Sequence, residues 1–372
     1  MKYLSLFSGI GGFEKGIIQA YESNRNRRNT EESSVDVGTS TNSAVNERVG
    51  ESPSCIGFSE IDKYATQIYQ SHFPEHKNYG DITKINAKEL PDFDLLVGGF
   101  PCQSFSIAGK RGGFDDTRGT LFFDIARILK EKQPRLFVLE NVKGLLSHGA
   151  GSTFYTIIST LDELGYDLQW QVLNSKNFGV PQNRERVFII GHLRGTSRPQ
   201  VFPFGENDRT DNKSSELCDR RKLLQGNESG AIQEEETKTT SKPSGQIIRK
   251  DWNQPDNTDS RGGQTHTSYR IPEATKQGFA EAEEGDSINL SVPNSKTRRG
   301  RVGKGIAQTI DTGMQQHTIQ DYKIRRLTPT ECMRLQGFPD NWCDGISDTQ
   351  KYKCAGNAVT VNVIEAIMEK LL

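Results

Sequence analysis

Along the first half of the chain, short continuous apolar runs alternate with stretches whose apolar residues recur every three or four positions. "KYLSLF" (2–7), "CIGFSE" (55–60), "FDLLVGG" (93–99), "RLFVLENV" (135–142), "LQWQVLNS" (168–175) and "RVFIIGHL" (186–193) have the length and residue types of strands. Between them, "FEKGIIQAYE" places Phe13, Ile17 and Ile18 at helical spacing, and "IDKYATQIYQSHF" does the same with Ile61, Tyr64, Ala65, Ile68 and Tyr69. "TLFFDIARILKEKQP" reads as a helix stopped by Pro134, and "YTIISTLDELG" as one closed by Gly165. Strand–helix alternation predicts an α/β fold: an open, mainly parallel, Rossmann-like sheet with helices on both faces.

The rhythm fails in two places. Residues 22–54 and 205–262 are polar and almost free of large apolar side chains. Neither can bury enough apolar surface to offset its chain entropy, so both are expected to be mobile insertions. Order returns near the C-terminus. "LTPTECMRLQGFP" carries Thr328 as N-cap, Pro329 at the first helical position, Glu331 at the capping-box position and Gly337 beyond the end. In "GNAVTVNVIEAIMEKLL" the residues Val359, Val363, Ile364, Ile367, Met368 and Leu371 form one stripe, which should dock on a core. The expected division is a catalytic and cofactor-binding domain over 1–193, a smaller, irregular target-recognition domain over 194–340, and a C-terminal segment, 341–372, that rejoins the first domain.

Composition alters this picture little. The 372 residues carry a net charge of −1, so a nucleic-acid partner has to be argued from local patches. The 33% hydrophobic content is low for a compact enzyme, and the two polar segments account for it. The six cysteines include no C-x-x-C pair, which argues against zinc and against a disulfide framework, and points to a reducing cytosol. No apolar run approaches a membrane span, and "SLFSGIGG" breaks the plan of a signal peptide.

In a parallel sheet, ligands bind beyond the carboxyl ends of the strands. That rim here collects Phe7 and "SGIGG" after the first strand, Glu60 after the second, Asp81 after "KNYG", Cys102 after "DLLVGGFP", and Glu140 in "LENV". The glycine turn lets a backbone approach a ligand closely, although a turn of this kind also serves simply to join strand to helix. Its spacing departs from G-x-G-x-x-G, so a nucleotide-type cofactor fits better than a dinucleotide. Taken singly, Cys102 could be a small buried residue. Pro101 before it and the Gln, Ser and Gly residues after it argue instead for a rigid, exposed loop and a reactive thiol. Gln182, Arg184 and Arg186 alternate into a strand, which sets the two arginines on one face.

With these residues assembled, the chain resembles the DNA (cytosine-5)-methyltransferases of bacterial and phage type. "FSGIGGFEKG", "SEID", "GDI", "GGFPCQSFS", "RGTLFFDIARI", "LENV", "QNRERVFIIG", "RRLTPTECMRLQGFP" and "GNAVTVNV" stand in the family's order, over residues 1–21, 55–193 and 323–372. The resemblance implies S-adenosylmethionine as cofactor and no metal. It implies that Phe7 packs on the adenine, that Gly9, Ile10, Gly11 and Gly12 line the methionine side, and that Glu60 with Ile61 takes the ribose. Asp81 and Ile82 would meet the adenine, and Pro101, Asn357 and Val359 would complete the pocket. Cys102 would be the nucleophile, Glu140 would share a proton with N3 of cytosine, and Arg184 would orient the base with Arg186 in support.

The substrate so implied is double-stranded DNA containing a target cytosine, flipped out of the stack. The loop after Cys102 would close over it, with Ser106, Lys110 and Arg111 on the DNA; Ala108 stands where relatives can place a polar gap-filling side chain. The basic run "NSKTRRGRVGKG" supplies Arg298, Arg299, Arg301 and Lys304 as expected phosphate contacts, and Thr309 in "AQTID" is a further DNA candidate. The remaining expectations are a cytoplasmic monomer in a bacterial or phage-infected cell. It would serve beside a cognate restriction endonuclease or as an orphan enzyme. Three other readings stay open: an RNA cytosine-5 methyltransferase, a nucleotide-cofactor oxidoreductase, and a silent DNA-binding protein.

Overall fold

The computed structural model describes residues 1–34, 52–101, 121–204, 268–291, 297, 299–313, 315–321 and 323–372. The chain divides into two compact units: Met1–Leu217 with Thr309–Met314 and Thr328–Leu372, and Cys218–Gln308 with Gln315–Leu327.

The larger unit is built on a six-stranded sheet. Its strands are β1 (Lys2–Leu6), β2 (Ser54–Ser59), β3 (Leu95–Gly99), β4 (Leu136–Val142), β5 (Tyr166–Asn174) and β7 (Glu185–Leu193); β6 (Gln182–Asn183) is a short strand just before the last. The order is β2-β1-β3-β4-β7-β5. β1 pairs in parallel with β2 and β3, and β3 with β4, whereas β7 runs antiparallel to both β4 and β5. The mainly parallel sheet expected from the sequence is therefore present, with one reversed strand inside it. Side chains alternate between faces along a strand. Leu95, Val97, Leu136, Val138, Phe188 and Ile190 share one core cluster. Their alternates Leu96, Phe137, Leu139, Val187 and Ile189 are equally buried, so both faces of the sheet are covered.

The cluster face is closed by two helices from opposite ends of the chain. α1 (Gly12–Ser34) contributes Phe13, Ile17 and Ala20, and the last helix contributes Val363, Ile364, Ile367 and Met368. The C-terminal stripe docks as its periodicity implies. The intervening helices are α2 (Lys63–His72), capped by Asp62, α3 (Leu121–Lys132) and α4 (Ser152–Glu163). After them come α5 (Pro329–Leu335), α6 (Asp348–Asn357) and α7 (Val361–Glu369). Thr328 caps α5 through a full capping box with Glu331, as the spacing predicts.

One expectation needs correction here. The polar insertion was placed at 22–54, yet α1 continues to Ser34 and β2 starts at Ser54. No glycine or proline stands between Ile17 and Ser34 to stop the helix. Polar bonds to α7 then replace the missing apolar face: Ser23 to Glu365 at 3.3 Å, Asn24 to the Glu369 carbonyl at 3.3 Å and Arg27 to the Glu369 carboxylate at 2.6 Å. Residues 35–51, 102–120 and 205–267 lie outside the described residues.

The smaller unit is antiparallel. β8 (Tyr269–Pro272) pairs with β9 (Phe279–Ala282), and a four-stranded sheet runs β11 (Val302–Gly303), β10 (Ser287–Asn289), β13 (Gln316–Gln320), β14 (Lys323–Arg326); β12 is Ala307–Gln308. Its core cluster consists of Tyr269, Ile271, Ala282, Ile288 and Ile319. Several polar residues are buried in the same unit, among them Asp286, Asn289, Arg301 and Gln316.

Candidate active site

β1 connects through α1 to β2 on one side, while β3 lies on its other side, so the strand order reverses at β1. In an open sheet this reversal opens a crevice at the carboxyl ends. The chain leaves β1 through Phe7, a non-glycine residue at φ 53°, followed by Gly9 at φ 55° and Gly11 at φ 90°. A positive φ at a phenylalanine is strained and persists only where the surroundings hold it. Here the turn is held by a Gly11 N–H to Ser8 carbonyl bond of 3.0 Å, and by the Trp342 indole N–H, which donates to the Ile10 carbonyl at 2.8 Å.

Glu60 locks the next strand end to this turn. One carboxylate oxygen accepts the Gly9 N–H at 2.9 Å, and the other accepts the N–H groups of Ile61 and Asp62 at 2.8 Å each. Asn78 holds the neighbouring segment: its amide donates to the Glu60 carbonyl at 3.1 Å and its oxygen accepts the Gly80 N–H at 2.8 Å. Asp81 follows, capping the turn Ile82–Lys84 through Thr83. Its hydrogen bonds from the Thr83 hydroxyl and N–H hold its pKa below the usual carboxylate value. Among the described residues, a side chain added at Gly9 or Gly80 would meet no atom within 4 Å, so no described group closes over the backbone at either glycine. Ile61 is 77% exposed beside it. An exposed apolar side chain, a strained aromatic, an open glycine and a carboxylate with spare lone pairs fit a nucleoside-type cofactor.

Five sequence-derived pocket residues turn their side chains, or the place a side chain would take, toward packed neighbours. Gly12 backs onto the C-terminal segment: a Cβ there would lie 2.7 Å from the Val359 side chain. Val359 itself belongs to the core cluster, Ile10 is 1% exposed and Ile82 is 3% exposed. These residues shape the pocket from behind. Gly11 likewise abuts the Phe73 ring. Pro101 and Asn357 are exposed.

A second cluster lies at the β4–β7 end of the rim. Glu140 stands in β4 opposite Gly99 of β3 and Phe188 of β7. Gly99 leaves room for it, since a Cβ there would lie 3.0 Å from the Glu140 carboxylate. Because β7 is reversed, its beginning falls at the carboxyl end of β4, and Arg186 pairs opposite Val142. The Arg186 Nε then meets Glu140 at 2.9 Å, with both side chains largely buried. The next residue, Asn141, is buried and donates to the Phe100 carbonyl at 2.8 Å, which fixes the chain just before Pro101. Sequence reasoning assigned Asn141 no role, although "LENV" contained it.

Arg184 requires the main correction. It was expected to orient the base with Arg186 assisting, but it is 2% exposed and its guanidinium is taken by main-chain carbonyls. Burial, with Arg186 close by, pushes its pKa down. The carboxylate partner belongs to Arg186. One basic-run residue is corrected as well. Arg301 is 1% exposed, so it does not face a phosphate in this structure. Lys304 is bonded to Asp286 at 2.7 Å and keeps 61% of its side chain exposed, so its expected role is unaffected. Arg299 is exposed and donates to the Ala274 carbonyl at 2.9 Å, and the Thr309 hydroxyl donates to the Asn183 carbonyl at 2.8 Å. Cys102, Ser106, Lys110, Arg111 and Arg298 lie outside the described residues.

Comparison with known proteins decides which family the chain belongs to. Residues 1–372 match the family described as C-5 cytosine-specific DNA methylase. The chain belongs to that family. As a cytosine-5 DNA methylase it is 38% identical over 372 residues to the type II methyltransferase M.SsoII of Shigella sonnei, covering all of this chain and 80% of the relative. It is 36% identical to the type II methyltransferase M1.ScrFI of Lactococcus lactis subsp. cremoris, covering all of this chain and 78% of the relative. Among solved structures, a prophage-encoded DNA modification methyltransferase from E. coli shares the fold at TM-score 0.56 and 18% identity, covering the whole of this chain and 98% of that one. The enzyme is thus a DNA (cytosine-5)-methyltransferase. Among the described residues, no helix of this methylase is long and apolar enough to cross a membrane.

Proposed function

We propose that the chain methylates carbon 5 of a cytosine flipped out of duplex DNA, through a transient covalent bond from Cys102, with S-adenosylmethionine as methyl donor. The observation that carries the reading is the Glu140–Arg186 pair at the carboxyl end of the strand that neighbours β3, from which the chain runs on to Cys102. Carbon 5 of cytosine is a weak nucleophile. Addition of the Cys102 thiolate to carbon 6 moves electron density toward N3 and carbon 5. Glu140 holds the proton that N3 then needs, and Arg186 faces the base carbonyl while keeping Glu140 in place. When bound, S-adenosylmethionine supplies an electrophilic methyl group. Loss of the carbon-5 proton to a water then expels the thiolate and frees Cys102.

Phe7, Gly9, Glu60, Ile61, Asp81 and Asn357 would hold the cofactor, and the open backbone at Gly9 supports this. The type II names of the relatives support a modification enzyme acting beside a restriction endonuclease, and the reading takes it to work in the cytoplasm as a monomer. An orphan or phage enzyme is the alternative setting. DNA contacts would include Arg298, Arg299 and Thr309, with Ser106, Lys110 and Arg111 near the flipped base. The test is bisulfite sequencing of DNA from cells expressing the chain, with Cys102→Ser as control. Methylated cytosine in one short context, absent in the control, is the expected result. Unmethylated DNA from cells containing folded enzyme would overturn the reading.

A further inference from the structure

We infer that Arg184 is a positioning residue for the cofactor pocket: it holds the turn that presents Asn357, and touches neither base nor cofactor. The inference rests on the reading of Asn357 as a cofactor contact. α6 ends at Asn357, where the last carbonyls of a helix lack partners within it and carry partial negative charge. Side chains from elsewhere occupy them. Arg184 donates to the Gly356 carbonyl at 3.2 Å and to the Ala358 carbonyl at 2.8 Å, and Gln336 donates to the Ala355 carbonyl at 2.7 Å. The two carbonyls held by Arg184 bracket Asn357, whose own side chain is exposed.

The remaining arm of the guanidinium donates to the Ile310 carbonyl at 3.1 Å. Gln182, also fully buried, accepts the Ile310 N–H at 3.1 Å and donates to the Leu335 carbonyl at 2.8 Å. Gly356 lets the same segment approach: a Cβ on it would sit 2.6 Å from backbone atoms of Asp311 and Thr312. One planar cation therefore fixes two segments at once, the turn Gly356–Ala358 and the segment at Ile310. A guanidinium spans three acceptors in a fixed fork, which a lysine ammonium on a flexible stem does not reproduce. This also accounts for a buried arginine with no salt-bridged carboxylate among the described residues, since helix-end carbonyls add negative potential to that of Glu140 nearby.

The test uses calorimetric titration of the full chain with S-adenosylhomocysteine, without DNA. Arg184→Lys should bind about tenfold more weakly than wild type, in line with losing a charge-assisted bond. Asn357→Ala should lose a comparable factor. The double variant should be no weaker than Asn357→Ala alone, because both changes remove one interaction. In turnover, Arg184→Lys should raise the KM for S-adenosylmethionine and leave kcat within about threefold. Binding by Arg184→Lys at wild-type affinity overturns the inference, and so does a loss that adds in full to that of Asn357→Ala. If Arg184→Lys does not fold, Arg184→Gln takes its place in the same cycle; failure of both to fold assigns Arg184 to stability alone. A wild-type chain that does not take up S-adenosylhomocysteine removes the cofactor reading, and this inference with it.

Discussion

Glu14 and Glu140 are two carboxyl groups of one unit, both removed from bulk water, and their surroundings treat them oppositely. Glu14, in the first turn of α1, is fully buried and receives the Tyr69 hydroxyl at 2.9 Å. Among the described residues it has no cation, and desolvation raises its pKa to about 7. Glu140, at the β4–β7 end of the rim, has the Arg186 guanidinium at 2.9 Å and keeps 12% of its side chain exposed. Burial alone makes a carboxyl group hold its proton and stay idle in packing. Burial beside a cation instead gives the carboxyl group a charged partner, as Arg186 does for Glu140.

The largest effect should separate the two by rate. Glu140→Gln keeps the shape but removes the acid, and methylation should fall by about 10²–10⁴-fold. Glu14→Gln should leave the rate at neutral pH within about threefold. Single-turnover methylation of one oligonucleotide compares them directly, and a similar loss in both would erase the distinction.

Stability should separate them in the other direction. Below about pH 4.5 the Glu14 carboxyl is neutral in both folded and unfolded chains. Between there and about 7 the unfolded chain ionises while the folded one retains its proton, so stability falls as pH rises, and the loss is complete above that range. The full swing is on the order of 3 kcal/mol. Glu14→Gln should remove this slope and raise the melting temperature at pH 8, whereas wild type should melt higher at pH 5 than at pH 8 through this group. Urea titrations across that pH range measure it, and an unchanged slope in Glu14→Gln would reject the assignment.

Tyr69→Phe sharpens the same point at smaller scale. It removes the hydroxyl that bonds Glu14 and also contacts His76 at 3.0 Å, at a cost of about 1 kcal/mol. It should move the stability slope to higher pH, because the bond favours the ionised carboxylate. The smallest effect belongs to Lys143→Ala at the mouth of the Glu140 cluster. Its pair with Glu185 at 3.0 Å is half exposed, and its loss should cost under about 1 kcal/mol and vanish in high salt.

Much of this was legible in the chain itself. Apolar runs and helical spacings are local, so they determined the strands, the capping box at Thr328 and the docking stripe of the last helix. The motif residues carry their chemistry in their types, so Glu60, Glu140 and the glycine turn could be placed on one rim from their positions at strand carboxyl ends. Long-range pairing was not legible. Nothing local says that β7 runs backwards, and that reversal is what sets Arg186 against Glu140. Two arginines two residues apart look equivalent in sequence. The tertiary structure turned one into a partner for a carboxylate and wrapped the other in carbonyls from residues 310, 356 and 358. It also buried Arg301, which a basic run presents as exposed, and extended α1 over residues 22–34, where Ser23, Asn24 and Arg27 bond a helix more than three hundred residues away in sequence. Residue type sets what a group can do, but distance and desolvation decide which of its uses is realised, and both are properties of the folded chain.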